Sequence, residues 1–124
     1  MQIYNLFPLT IMQDKINLED KERNVLINEI EVMFNKEKKI KKGDFAWTGD
    51  TKGYEFLFSN NLFKDLANKI SRSIIKYLNA LEINTNKLDI YYQRSWATFT
   101  ENNQSINFHT HSQSNISFAY YLLK

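Results

Sequence analysis

Ile90-Tyr91-Tyr92-Gln93-Arg94-Ser95-Trp96-Ala97-Thr98-Phe99-Thr100 is the stretch whose reading decides the fold. Aromatic and β-branched side chains dominate it, and its apolar period is two, as on a pleated, half-buried strand. Downstream, Glu101-Asn102-Asn103-Gln104 is turn chemistry, because Asn tolerates positive φ. Ser105 to His109 then predicts a second strand, Ser112 to Asn115 a polar loop, and Ile116 to Leu123 a third strand.

Upstream of Lys87 the period is 3.6 instead of two. Phe63, Leu66, Ala67, Ile70, Ile74, Tyr77, Leu78 and Leu81 share one helical face, the most sustained periodicity in the chain. Ser59 or Asn60 can cap this helix, which should end near Asn84. Leu18, Val25, Leu26, Ile30 and Met33 predict an earlier helix over about residues 18–36, with Asn17 as its N-cap. Between them, Asp44 to Ser59 reads as irregular, with Trp47, Gly49, Asp50 and Gly53 marking turns. Residues 2–12 read as a short edge strand or an extended lead-in, since Pro8 removes a ladder donor. Helices first and strands later is the order of an α+β domain, here two helices packed on an antiparallel sheet. We expect a single domain over residues 1–124, helical over 1–86 and β-rich over 87–124. Three long strands and one short one should leave at least one sheet edge open.

Composition narrows the chemistry. The chain is 43% hydrophobic and 24% charged, ordinary for a globular fold, and nine Phe, seven Tyr and two Trp can build a core from few side chains. Sixteen basic against fourteen acidic residues leave a formal charge of +2, which demands no polyanionic partner. The run Lys36-Glu37-Lys38-Lys39-Ile40-Lys41-Lys42 reads as solvated surface with no stacking platform beside it, so nucleic acid is not an expected partner. Cysteine is absent, which excludes thiolate chemistry and disulfides and is compatible with a cytoplasmic location. No apolar run approaches the roughly 18 residues of a membrane span, and the N-terminus lacks the pattern of a signal peptide. Gly-rich phosphate loops, nucleophile elbows and paired carboxylates are missing from the sequence as well.

What remains is His109-Thr110-His111, which holds both histidines of the chain. Residues i and i+2 of an extended segment project to the same side, so two imidazoles can converge on one ion such as Fe, Zn, Cu or Ni. The plainer alternative is an exposed pair that binds nothing. Arg94 beside Trp96 can bind a carboxylate or stack on the indole, with cross-strand pairing as the simpler role. Trp47-Thr48-Gly49-Asp50 either shapes a pocket wall or, more simply, contributes buried aromatic packing.

The order Arg94-Ser95-Trp96-Ala97, a polar hairpin, Ile106-Asn107-Phe108-His109-Thr110-His111-Ser112, a small polar loop and Ser117-Phe118-Ala119-Tyr120-Tyr121-Leu122 resembles the metal-binding segment of the Fe(II)/2-oxoglutarate-dependent oxygenases. It is most similar to a bacterial and phage branch of that family, whose opening Leu6-Phe7-Pro8-Leu9-Thr10-Ile11 also resembles. The resemblance implies the front part of a double-stranded β-helix, or jelly roll. It implies hydroxylation coupled to oxidative decarboxylation of 2-oxoglutarate, with Fe(II) as the metal. His109 would be the first iron ligand, and His111 would stand where the wider superfamily carries Asp or Glu. Tyr120 or Tyr121 would line the co-substrate cavity. Ser112 replaces a frequent Pro, and Phe118-Ala119 replaces a small-residue pair. The family's distal His and 2-oxoglutarate-binding Arg have no counterpart, so the resemblance implies an incomplete oxygenase domain, inactive by itself and with or without bound cofactor. The rival expectation is a non-catalytic α+β module that forms a homo-oligomer, dimer or higher, through its open edge.

Overall fold

Two amphipathic helices and one short sheet organise the computed structural model, which describes residues 1–2, 10–37 and 45–123. Most of the expected N-terminal edge strand (3–9) and of the lysine-rich run with Gly43 (38–44) lies outside the described residues.

The first apolar stripe becomes helix α1, Asp20–Lys36, with Asp20 and Glu22 in its first turn and Lys36 in its last, each complementing the helix dipole. Its N-cap is Glu19, not the expected Asn17, and no side chain caps it. Leu26 and Met33 are buried, together with Leu18 just ahead of the helix. Val25 turns outward and is exposed, because it sits about 100° around the helix from Leu26.

The second stripe becomes α2, Lys64–Ala80, burying Leu66, Ile70, Ser73 and Leu78. Asn60 acts one step earlier than expected: its side chain accepts from the Leu62 N–H at 3.0 Å and caps a 3-10 turn, Asn61–Phe63, that runs into α2. The helix stops at Ala80 instead of near Asn84. Glu82 takes a left-handed conformation (φ 57°), and the N–H groups of Glu82 and Ile83 donate back to the Asn79 and Leu78 carbonyls, each at 3.0 Å. This is a Schellman stop built on a non-glycine residue.

The β part differs more from expectation. The long strand expected over residues 90–100 contracts to β2, Thr98–Phe99, and the expected strands at 105–109 and 116–123 form no strand, Ser105 alone making a bridge among the described residues. The turn between them is as expected: Gln104 N–H donates to Glu101 O at 3.2 Å, and Asn103 has φ 67°. Pairing comes from the stretch expected to be irregular. It supplies β1, Trp47–Thr48, antiparallel to β2 with Trp47 opposite Phe99 and Thr48 opposite Thr98. Isolated bridges Phe45–Ser105 and Phe56–Ser95 flank this pair. The architecture is therefore α+β, with two helices and a two-stranded antiparallel sheet.

The core joins these parts. Leu18, Leu26, Met33, Leu57, Phe63, Leu66 and Ile70 form the buried cluster, with Trp47, Tyr54, Tyr92, Ala97, Tyr120 and Leu122 packed on it. Phe34, at the end of α1, lies over the sheet, stacked on Phe99 (4.5 Å) and edge-on to Trp47 (6.0 Å). Trp47 thus takes the packing role and not that of a pocket wall. At Gly49 an added Cβ would come within 3.3 Å of both the Trp47 ring and Tyr54 Cβ, so the smallest residue lets this turn close on the indole.

Polar ties hold the lead-in to α2. The buried Ser73 hydroxyl donates to Asp14 Oδ2 at 2.7 Å, and the Lys15 N–H to Oδ1 at 2.8 Å. These bonds to the charged form, Ser73 foremost, hold the Asp14 carboxyl below its ordinary value against opposing desolvation. A carboxyl lowered in the folded state adds stability above its unfolded pKa, and that stability is lost as pH falls through the lowered value. Ser73→Ala is therefore expected to lower the melting temperature by a few degrees at neutral pH, with the deficit shrinking below about pH 4. Melts of both proteins at neutral and acid pH check this, and an equal deficit at both would remove Asp14 from the account.

Candidate metal-binding site

Residues 106–111 carry no regular secondary structure, and this stretch brings the His109 and His111 rings together. The two imidazoles lie with centroids 4.8 Å apart and planes at 90°. This is the geometry of an edge-to-face ring pair, and two imidazoles sharing one ion at about 2.1 Å would hold their centroids a similar distance apart. His109 Nδ1 is 2.8 Å from the Asn107 carbonyl oxygen. A carbonyl only accepts, so Nδ1 is the donor here, and the neutral form of this ring carries its lone pair on Nε2, the arrangement common in metal-bound histidines.

His111 is held from two directions. Its ring packs against Trp96 with centroids 5.5 Å apart, and its carbonyl accepts from the Ser114 N–H at 3.0 Å. The Ser114 hydroxyl in turn donates to Gln93 Oε1 at 3.2 Å, which ties the loop after His111 to the segment carrying Arg94 and Trp96. Both histidines are exposed, so their lone pairs are open to an ion arriving from solvent.

The tyrosines are placed differently. The half-buried Tyr120 donates its hydroxyl to the Ile16 carbonyl at 3.1 Å and packs on the core, while Tyr121 is 74% exposed. Two surface depressions, of about 300 Å³ beside Glu19, Val25 and Leu62 and about 230 Å³ beside Asp14, Arg72 and Lys76, are lined by neither the histidines nor these tyrosines. Among the described residues no group of three or more His, Cys, Asp or Glu side chains comes together to hold a metal. The pair supplies two imidazole nitrogens, short of the roughly three protein ligands of a catalytic iron.

Arg94 stacks on Trp96 and does not pair across strands, its Cζ 5.4 Å from the ring centroid. Two polar groups escaped sequence reading: Trp47 Nε1 and Glu55 Oε2 are buried with no hydrogen-bond partner among the described residues. Their burial is a tertiary outcome that no local pattern announces. Among the described residues no helix is long and apolar enough to cross a membrane. Compared with protein-family models, curated proteins and solved structures, the chain matches none.

Proposed function

We propose that His109 and His111 hold a divalent metal, Fe(II) for preference, and that residues 1–124 form the front part of an oxygenase-type jelly roll. The observation that carries this reading is the imidazole pair, 4.8 Å apart with the His109 proton fixed on Nδ1. The resemblance of the Arg94 to Leu122 segment to the Fe(II)/2-oxoglutarate-dependent oxygenases names the metal and its co-substrate. When bound, that metal with 2-oxoglutarate supplies hydroxylation coupled to oxidative decarboxylation. The chain's own part is to present two nitrogens, orient His111 through Trp96, and offer the exposed ring of Tyr121 as a cavity wall, Tyr120 being engaged with Ile16. A third ligand and a cation for the far carboxylate of 2-oxoglutarate would have to come from beyond these two histidines. Anaerobic Co(II) titration followed by ligand-field absorption is expected to saturate. The Fe(II)-supplied 124-residue chain alone is expected to release no succinate from 2-oxoglutarate above the protein-free rate. Lack of saturable Co(II) uptake removes the metal reading, and robust turnover removes the incompleteness.

A second reading concerns assembly. Residues 104–123, largely without regular secondary structure, carry exposed large apolar side chains, among them Phe108 (109% exposed), Ile106, Phe118 and Leu123. Apolar side chains gathered on a segment with few ladder bonds favour association with another chain. We propose a homo-oligomer, dimer or higher, joined through this region, with cytoplasmic location as its setting; a site completed between chains is compatible with both readings. Sedimentation velocity at tens of micromolar should show the oligomer, and Phe108→Ser should weaken it. A strictly monomeric parent chain would dismiss it.

A further inference from the structure

Arg94, Trp96, His111 and His109 form an unbroken row of side chains: guanidinium on indole at 5.4 Å, indole on imidazole at 5.5 Å, imidazole on imidazole at 4.8 Å. We propose that Arg94 and Trp96 form a carboxylate-binding subsite beside the histidine pair, which takes an acid group and lays the rest of the ligand across the indole toward His111. This goes beyond the metal reading and does not need it.

Arg94 is the residue suited to this task. Its side chain is 47% exposed, and among the described residues its N–H groups make no hydrogen bond. A guanidinium has five donors in a rigid fork that matches a carboxylate edge to edge, and contact with an indole leaves that fork less hydrated and better oriented. Asp50, from the 3-10 turn Gly49–Lys52, already shows which group Arg94 attracts. Its Oδ2 stands 3.8 Å from Nη2, near enough for Coulombic attraction and too far for a hydrogen bond. Asp50 is thus an internal competitor that leaves the donors open to an incoming carboxylate. Trp96 supplies the apolar floor, and its contact with His111 sets the direction in which the ligand's remainder extends.

The acid group can belong to a small organic acid or to an acidic side chain of a peptide, and a titration of the metal-depleted chain separates them. The probes are succinate in one arm and a short end-capped peptide whose single charge is one Glu in the other, followed by ¹⁵N NMR. The Trp96 indole and Arg94 Nε–H signals are expected to shift saturably, while the Trp47 indole, packed against Tyr54 and Phe34, serves as the internal reference. Arg94→Gln is expected to weaken binding about tenfold or more, the worth of charge-assisted hydrogen bonds. Asp50→Asn removes the competitor and is expected to tighten binding several-fold, a gain that misfolding cannot imitate. Added salt should weaken binding in the parent chain. Saturation by succinate assigns the subsite to small acids, and saturation by the peptide alone assigns it to acidic side chains. Silence in both arms, or equal affinity in the parent chain, Arg94→Gln and Asp50→Asn, overturns the proposal. Because no metal is present, either result leaves the Co(II) titration to decide the metal reading separately.

Discussion

Leu26→Ala is expected to destabilise the fold by about 3 kcal/mol, the usual cost of emptying a fully buried leucine site. Leu26 is 1% exposed, the most completely buried large side chain among the described residues, and it belongs to the cluster that joins α1 to Phe63, Leu66 and Ile70. Two terms add up: the lost transfer of the side chain from water and the cavity left when its neighbours relax only in part. For a chain this size the melting temperature should fall on the order of 10 °C. Val25→Ala is the control. Val25 is one residue away but exposed, so its truncation should cost less than about 1 kcal/mol. Urea melts of the two variants measure the rotation of α1 about its own axis. Equal losses would mean that the helix faces the core differently.

His109→Ala is expected to lower Co(II) affinity by at least about 100-fold. Loss of an outer partner of a ligating histidine already costs roughly 10–100-fold, and loss of the ligand itself should cost no less. One remaining imidazole on an exposed segment would hold a divalent ion too weakly to saturate at micromolar metal. His111→Ala should act in the same way, and the two losses should not add, because either change dissolves the same pair. The position is exposed and its side chain interacts with the Asn107 carbonyl and the His111 ring, so the melting temperature without metal should stay near that of the parent chain. That combination, affinity lost and fold kept, separates a ligand from a structural residue. Unchanged Co(II) affinity would show that the pair is only a surface feature.

The two helices were legible because their evidence is local. Leu26, Ile30 and Met33, and likewise Phe63, Leu66, Ile70 and Ile74, repeat at helical spacing, and any helix with such a stripe must bury it. Their ends were less legible. The Schellman stop at Glu82 requires a non-glycine residue at positive φ, which local preference argues against and which the back-bonds to Asn79 and Leu78 sustain. The candidate site was legible only in part: the closeness of the two histidines in sequence is local information, whereas their 4.8 Å ring separation is a property of the folded chain.

Strand partners belong to another class of fact. A β-favouring composition over residues 90–100 states that the segment suits a pleat, yet a ladder needs a second backbone, and its choice is made across the chain. Here the partner is Trp47–Thr48, within a stretch whose glycines and polar residues read as irregular, and it is brought to Thr98–Phe99 as Phe34 and Trp47 pack together over the sheet. The contacts of Arg94 with Trp96 and of Trp96 with His111 follow from that placement too. The sequence by itself therefore determined the helices and the α+β order, both consequences of short-range periodicity. Tertiary structure alone decided which backbone pairs with which and what surrounds the imidazoles, because those depend on contacts between residues far apart in the chain.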